Sequence, residues 1–97
     1  MAKLIWGVVA ASDVEGIYDY IARDSHQYAK HQVERIFQST ERLQSFPESG
    51  RRIPEFPNLP HREIIVDNYR VVYRYADDIG TVTVVHGRRV LKEGNLM

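Results

Sequence analysis

The sequence predicts one α+β domain in the order β-α-α-β-β-β, a helical hairpin packed on a small antiparallel sheet. Three observations carry that reading. A length of 97 residues suffices for one modest hydrophobic core and rarely for two. Apolar residues recur at helical spacing through the first half of the chain. Beyond a proline-rich break, the spacing becomes the alternation of strands.

Residues 3–8 read as a short first strand. Ser12-Asp13-Val14-Glu15 has the form of a capping box, in which the Ser12 hydroxyl accepts the Glu15 amide and Glu15 reaches back. Val14, Ile17, Tyr18, Ile21 and Ala22 follow as one apolar stripe. Gly16 weakens this helix by about 1 kcal/mol relative to alanine unless close packing requires it. Asp24-Ser25 then offers a cap for a second helix, along which Ala29, Val33, Ile36, Phe37, Thr40, Leu43 and Phe46 keep helical spacing. Pro47 ends it, because the residue before a proline avoids helical geometry. So short a turn between two helices makes them an antiparallel hairpin.

All four prolines lie in residues 47–60, which read as one long irregular segment of the kind that often carries function. Residues 61–66, 69–75 and 81–85 are strands rich in Ile, Val, Tyr and Thr. Asp67-Asn68 is a two-residue hairpin turn and residues 77–80 a four-residue one, so these strands are antiparallel neighbours. Residues 90–97 show no pattern and read as a flexible tail.

Composition excludes several classes. With no cysteine there are no disulfides, thiolate metal sites or cysteine nucleophiles. The apolar start, residues 4–6, is too short for a signal peptide, and no stretch approaches the roughly 20 apolar residues of a membrane span, so a cytoplasmic protein is expected. Residues 1–49 hold 5 Lys/Arg against 7 Asp/Glu, and residues 50–97 hold 8 against 6. That asymmetry is too small to announce a nucleic-acid binder.

The basic residues matter more by position. On the middle strand of the three, Arg70, Val72 and Arg74 alternate with Tyr69, Val71, Tyr73 and Tyr75, which are expected to pack against the helices. Together with Arg62 on the strand before, and His86, Arg88 and Arg89 at the exit of the last, they give the sheet a row of arginines. Guanidinium groups beside a histidine suit a phosphate chain or an acidic protein segment, whereas the same residues on an open face would only keep it soluble. His26, His31 and Glu34 lack a third ligand at convincing spacing and read as a solvated helix face. No Gly-rich phosphate loop, nucleophile elbow or paired carboxylate is present, and no cofactor or metal is expected.

Five pieces in order resemble the RelE/ParE superfamily of type II toxin–antitoxin toxins. They are Ile17-Tyr18-Asp19-Tyr20-Ile21-Ala22-Arg23-Asp24-Ser25, Phe46-Pro47-Glu48-Ser49-Gly50-Arg51-Arg52-Ile53-Pro54-Glu55, Arg62-Glu63-Ile64-Ile65-Val66, Tyr69-Arg70-Val71-Val72-Tyr73-Arg74 and Val85-His86-Gly87-Arg88-Arg89. The resemblance implies a plasmid-stabilisation type toxin, neutralised by a cognate antitoxin whose disordered segment folds onto it. Assembly as a homodimer, or as a heterotetramer with the antitoxin, fits that reading.

The superfamily has two branches. ParE-like members inhibit DNA gyrase without catalytic residues, whereas RelE-like members are ribosome-dependent endoribonucleases that cleave mRNA. Matched to the nuclease pattern, Arg62, Arg70 and Arg89 would hold phosphate or stabilise the transition state, with His86 as general acid or base. Ile64, where many nucleases carry a lysine, and the lack of a Tyr or acid after His86 depart from that pattern. The Gly-Arg-Arg-Ile-Pro-Glu loop and the His-Gly-Arg-Arg ending resemble the ParE branch, which makes Arg51, Arg52, Arg74 and Arg88 the expected target or antitoxin contacts. Trp6-Gly7-Val8-Val9 replaces the Ser/Thr-Pro that the superfamily usually carries after its first-strand tryptophan, which implies a shifted start for the first helix.

Overall fold

Strand β1 (Lys3–Trp6) ends where helix α1 (Val8–Ala22) begins, and α2 (His26–Glu41) follows. A 3₁₀ turn at Arg42–Gln44 leads into the proline-rich segment, which contains the two-residue strand β2 (Arg51–Arg52). Then come β3 (Arg62–Val66), β4 (Tyr69–Ala76) and β5 (Ile79–Gly87). This computed structural model describes residues 2–87. Among them, five strands form one sheet in the order β1-β5-β4-β3-β2. The antiparallel meander expected from the short turns is β3 to β5; β2, inside the segment expected to be irregular, adds to one edge antiparallel to β3, and β1 adds to the other, parallel to β5. A parallel neighbour needs a long crossover, which the helical hairpin supplies.

The first helix starts earlier than the capping box suggests. Gly7 is its N-cap, in extended geometry, and its amide donates to the Val82 carbonyl at 2.9 Å while its own carbonyl accepts from Ala11 at 3.0 Å. A Cβ on residue 7 would sit 3.0 Å from the Val82 oxygen, so glycine lets strand pass directly into helix. Ser12-Asp13-Val14-Glu15 therefore falls inside α1, where Asp13 does different work: its Oδ2 accepts the Val85 amide at 3.0 Å. Ala10 joins Val14 as a buried residue of this helix. A Cβ at Gly16 would meet no described residue within 4 Å, so close packing among the described residues does not explain that glycine.

Ser25 caps α2 as expected, accepting the Tyr28 amide at 3.1 Å. Ala29, Gln32, Ile36 and Thr40 form its buried stripe. The regular helix ends at Glu41, and the tighter 3₁₀ turn changes the phase. Leu43 stays buried, whereas Phe46 is 66% exposed. Phe37 lies at the rim, edge-on to Trp6 with ring centroids 5.0 Å apart.

The main core lies between the helices and one sheet face, with Ala10, Val14, Ile36, Val71, Tyr73 and Val82 at its centre. Tyr69 and Tyr75 pack against its edge, as alternation on β4 predicts. A second cluster forms on the opposite face, where Ile53 and Phe56 cover Val72. The β4–β5 turn is tighter than expected, since Asp77 and Asp78 both have positive φ (53° and 60°), the geometry of a two-residue hairpin turn.

Tyr73 ties the irregular segment to the sheet. Its hydroxyl donates to the Pro47 carbonyl at 2.7 Å and accepts the Gly50 amide at 3.0 Å. A Cβ at Gly50 would lie 2.6 Å from that hydroxyl and 2.7 Å from the Glu63 carbonyl oxygen. Tyr73→Phe is expected to lower stability by about 1–3 kcal/mol, because a buried donor and a buried acceptor lose their partner. Gly50→Ala is expected to destabilise the fold as well, through a clash with main chain that cannot move aside. Urea denaturation followed by circular dichroism measures both.

Candidate functional site

The arginines do not form one row. A two-residue turn sets the β3–β4 register, which places Arg62 opposite Tyr73, Glu63 opposite Val72 and Ile65 opposite Arg70. Paired residues share a face. Arg62 therefore belongs to the helix-bearing face with Tyr73, and Arg70, Arg74 and Glu63 belong to the outer face. On β2, Arg51 pairs with Glu63 and Arg52 with Arg62, so these two neighbours also divide between the faces.

The outer face is closed rather than solvated around Arg70, which is 6% exposed. Its Nε donates to Glu63 Oε1 at 2.7 Å and its Nη2 lies 2.6 Å from the same oxygen. Its Nη1 donates to Glu55 Oε2 and its Nη2 to Glu55 Oε1 at 2.7 Å. Arg51 closes the other side of Glu63, with Nε 2.8 Å and Nη2 2.7 Å from Oε2. Two guanidinium groups thus face two carboxylates. The hydrogen bonds to Glu55 do most to raise the Arg70 pKa above its already high value, burial opposes them, and Glu63 adds to the rise. Arg70 stays charged, and carboxylates hold both edges of its fork.

The other expected residues scatter. Arg62 turns to main chain, donating through Nη1 to the Gly50 carbonyl at 2.9 Å and the Glu48 carbonyl at 3.3 Å. Arg52 donates to the Leu59 carbonyl at 2.9 Å. Arg74 is exposed. His86 is the cross-strand neighbour of Arg70, and its Nδ1 lies 3.0 Å from the Gly87 carbonyl oxygen. Arg88 and Arg89 lie outside the described residues. The structure brings together Arg51 and Arg70, near His86, and sets Arg62 apart from them.

Two residues of this site escape a motif search, and so does a buried histidine that precedes β3. Glu63 was visible as the outer-face residue of β3 by alternation. Glu55 reaches Arg70 from 15 residues away out of an irregular segment, with no local signal. His61 precedes β3 and is buried, and its Nδ1 has no hydrogen-bond partner among the described residues. Burial, aided by the nearby Arg74 charge, pushes the His61 pKa below the ordinary 6.5.

The helix side offers a different surface. An open cleft of about 670 Å³ separates α1 from the ends of β4 and β5, lined by Ser12, Asp13, Ile17, Tyr20, Tyr69 and Val85 among others. Val8 and Val9 are exposed at the start of α1, as is Phe37 on α2. No helix among the described residues is long and apolar enough to cross a membrane.

A family model described as the ParE toxin of the type II toxin–antitoxin system parDE matches residues 4–91. A solved structure titled "Chromosomal ParDE TA system from P. aeruginosa" is similar in fold. Its TM-score is 0.78 at 20% sequence identity, over 92% of this chain and 98% of that one. No curated protein matches significantly.

Two outcomes test the electrostatic reading. Glu63→Gln removes the buried carboxylate between Arg51 and Arg70, so a loss of about 3–5 kcal/mol is expected, against about 0.5 kcal/mol or less for exposed Arg74→Ala. Equal losses in denaturant titrations would refute the assignment. His61 resists protonation in the fold but titrates at the ordinary 6.5 when unfolded. Stability is therefore full above that pH and falls as pH drops through the window just below it. His61→Phe is expected to flatten that part of the stability–pH profile.

Proposed function

Because the chain belongs to the ParE toxin family of type II toxin–antitoxin systems, we propose that it acts by binding: it inhibits DNA gyrase, and a cognate antitoxin neutralises it. The observation that carries this reading over mRNA cleavage is the division of the arginines. Phosphate-holding groups must converge on one reacting centre. Arg62 and Arg70 lie on opposite faces of the sheet, and Arg70 is engaged by Glu55 and Glu63. A binding toxin needs no such convergence. It needs exposed cations and apolar surface, which Arg51, Arg52 and Arg74 and the residues Val8, Val9 and Phe37 supply.

The antitoxin, in this reading, covers the apolar surface of the helical hairpin, where aromatic and aliphatic side chains give a folding segment its anchors. Arg51, Arg52, Arg74 and Arg88 are the candidates for contact with gyrase or antitoxin. Induced expression is expected to arrest growth. The purified protein is expected to block DNA supercoiling, to leave mRNA on translating ribosomes intact, and to lose its effect when antitoxin is added. Full supercoiling at saturating protein would overturn the gyrase reading. Ribosome-dependent mRNA cleavage that Arg70→Met abolishes would replace it with the nuclease one.

A further inference from the structure

We propose that residues 53–61 are a second protein-docking surface, a proline-faced strap on the outer side of the sheet that seats an acidic, aromatic surface of the protein this toxin inhibits. The segment repeats a unit of apolar residue, proline and polar residue: Ile53-Pro54-Glu55, Phe56-Pro57-Asn58 and Leu59-Pro60-His61. The first position of each unit turns inward, with Ile53 buried and Phe56 and Leu59 half-buried, whereas all three prolines are exposed. Ile53 and Phe56 pack on Val72, which anchors the strap to the outer face and leaves the prolines to solvent.

Two successive turns fix the first two prolines. The Phe56 amide donates to the Ile53 carbonyl at 3.2 Å, and the Leu59 amide to the Phe56 carbonyl at 3.1 Å. Pro54 and Pro57 each follow the accepting residue, where the fixed φ of proline suits a turn. A surface set in this way binds without the entropy cost of ordering a loop. Proline rings carry no amide to desolvate, and aromatic side chains are their usual partners. The charge beside them is positive. Arg52 is exposed and donates to the Leu59 carbonyl at 2.9 Å, and the Arg51 side chain is 62% exposed even in its pair with Glu63. Glu55, the one acid of residues 53–61, is turned to Arg70. A matching partner therefore brings aromatic rings for the prolines and carboxylates for the two arginines, the residue types that dominate binding energy at such contacts. The apolar surface assigned to the antitoxin lies on the helical hairpin, across the sheet from this strap. The inference rests on the reading of the chain as a binding toxin, and adds to it where the target sits.

The test compares the full chain with the triple variant Pro54→Ala/Pro57→Ala/Pro60→Ala and with Arg52→Glu, each checked for its fold by circular dichroism. Both variants are expected to lose growth arrest on induction. In the supercoiling assay, half-inhibition of gyrase is expected to need about tenfold more of either variant, or beyond. Folded variants that arrest growth as the wild-type chain does overturn the proposal. Growth arrest by the wild-type chain with supercoiling intact removes gyrase as the target, and the growth of the variants then decides the strap alone. Hydrogen exchange on the unaltered chain, with and without gyrase, settles the matter even if the variants fail to fold. Slower exchange at the Phe56, Asn58 and Leu59 amides supports the strap, and slowing confined to α1 and α2 overturns it.

Discussion

A buried arginine held between two carboxylates organises the outer half of this molecule. Charges removed from water are costly unless each meets its opposite in good geometry. Arg70, Glu63, Glu55 and Arg51 meet that condition in one another. They arrive from β4, β3, the irregular segment and β2. A short edge strand of two residues and a loop rich in proline have little structure of their own. Satisfying the Arg70 and Glu63 charges gives both a fixed place on the sheet.

The same loop is held from the other face too. Tyr73 reaches through the core to the Pro47 carbonyl and the Gly50 amide, while Arg62 donates to the Glu48 and Gly50 carbonyls. The chain between α2 and β3 thus wraps the β2–β3 edge, clamped by hydrogen bonds to its main chain on the helix side and by ion pairs on the outer side. Gly50 sits where the wrap is tightest, closer to Tyr73 and the Glu63 main chain than any side chain allows. An open sheet edge invites pairing with other chains, and the wrap covers this one with a short strand and charged side chains.

Much of this was legible in the sequence. The helical hairpin, the Ser25 cap, the meander and the inward tyrosines followed from spacing and turn chemistry. The parity that separates Arg62 from Arg70 also followed, since the two-residue turn Asp67-Asn68 fixes the register once it is taken seriously. Counting arginines as a set hid it. The start of α1 was not legible, because Ser12 and Glu15 carry a strong local signal that a tertiary contact, Gly7 with the Val82 carbonyl, overrides. Strand β2 is too short for any period to show. Glu55 illustrates the hardest case, a long-range ion pair from an irregular segment, where no rule of spacing connects the partners.

Position 63 decides what the outer face can do. It lies on the same face as Arg70, beside Arg51, with its own carboxylate fully shielded from solvent. A neutral residue there would leave two guanidinium groups in mutual repulsion, which the fold could relieve by exposing them or by recruiting an anion. A glutamate there pairs with Arg51 and Arg70 at once, and Glu55 from the loop pairs with the Nη groups of Arg70. The chemistry open to this face therefore depends less on how many arginines the chain carries than on one acid between them, and on the second acid that the loop brings.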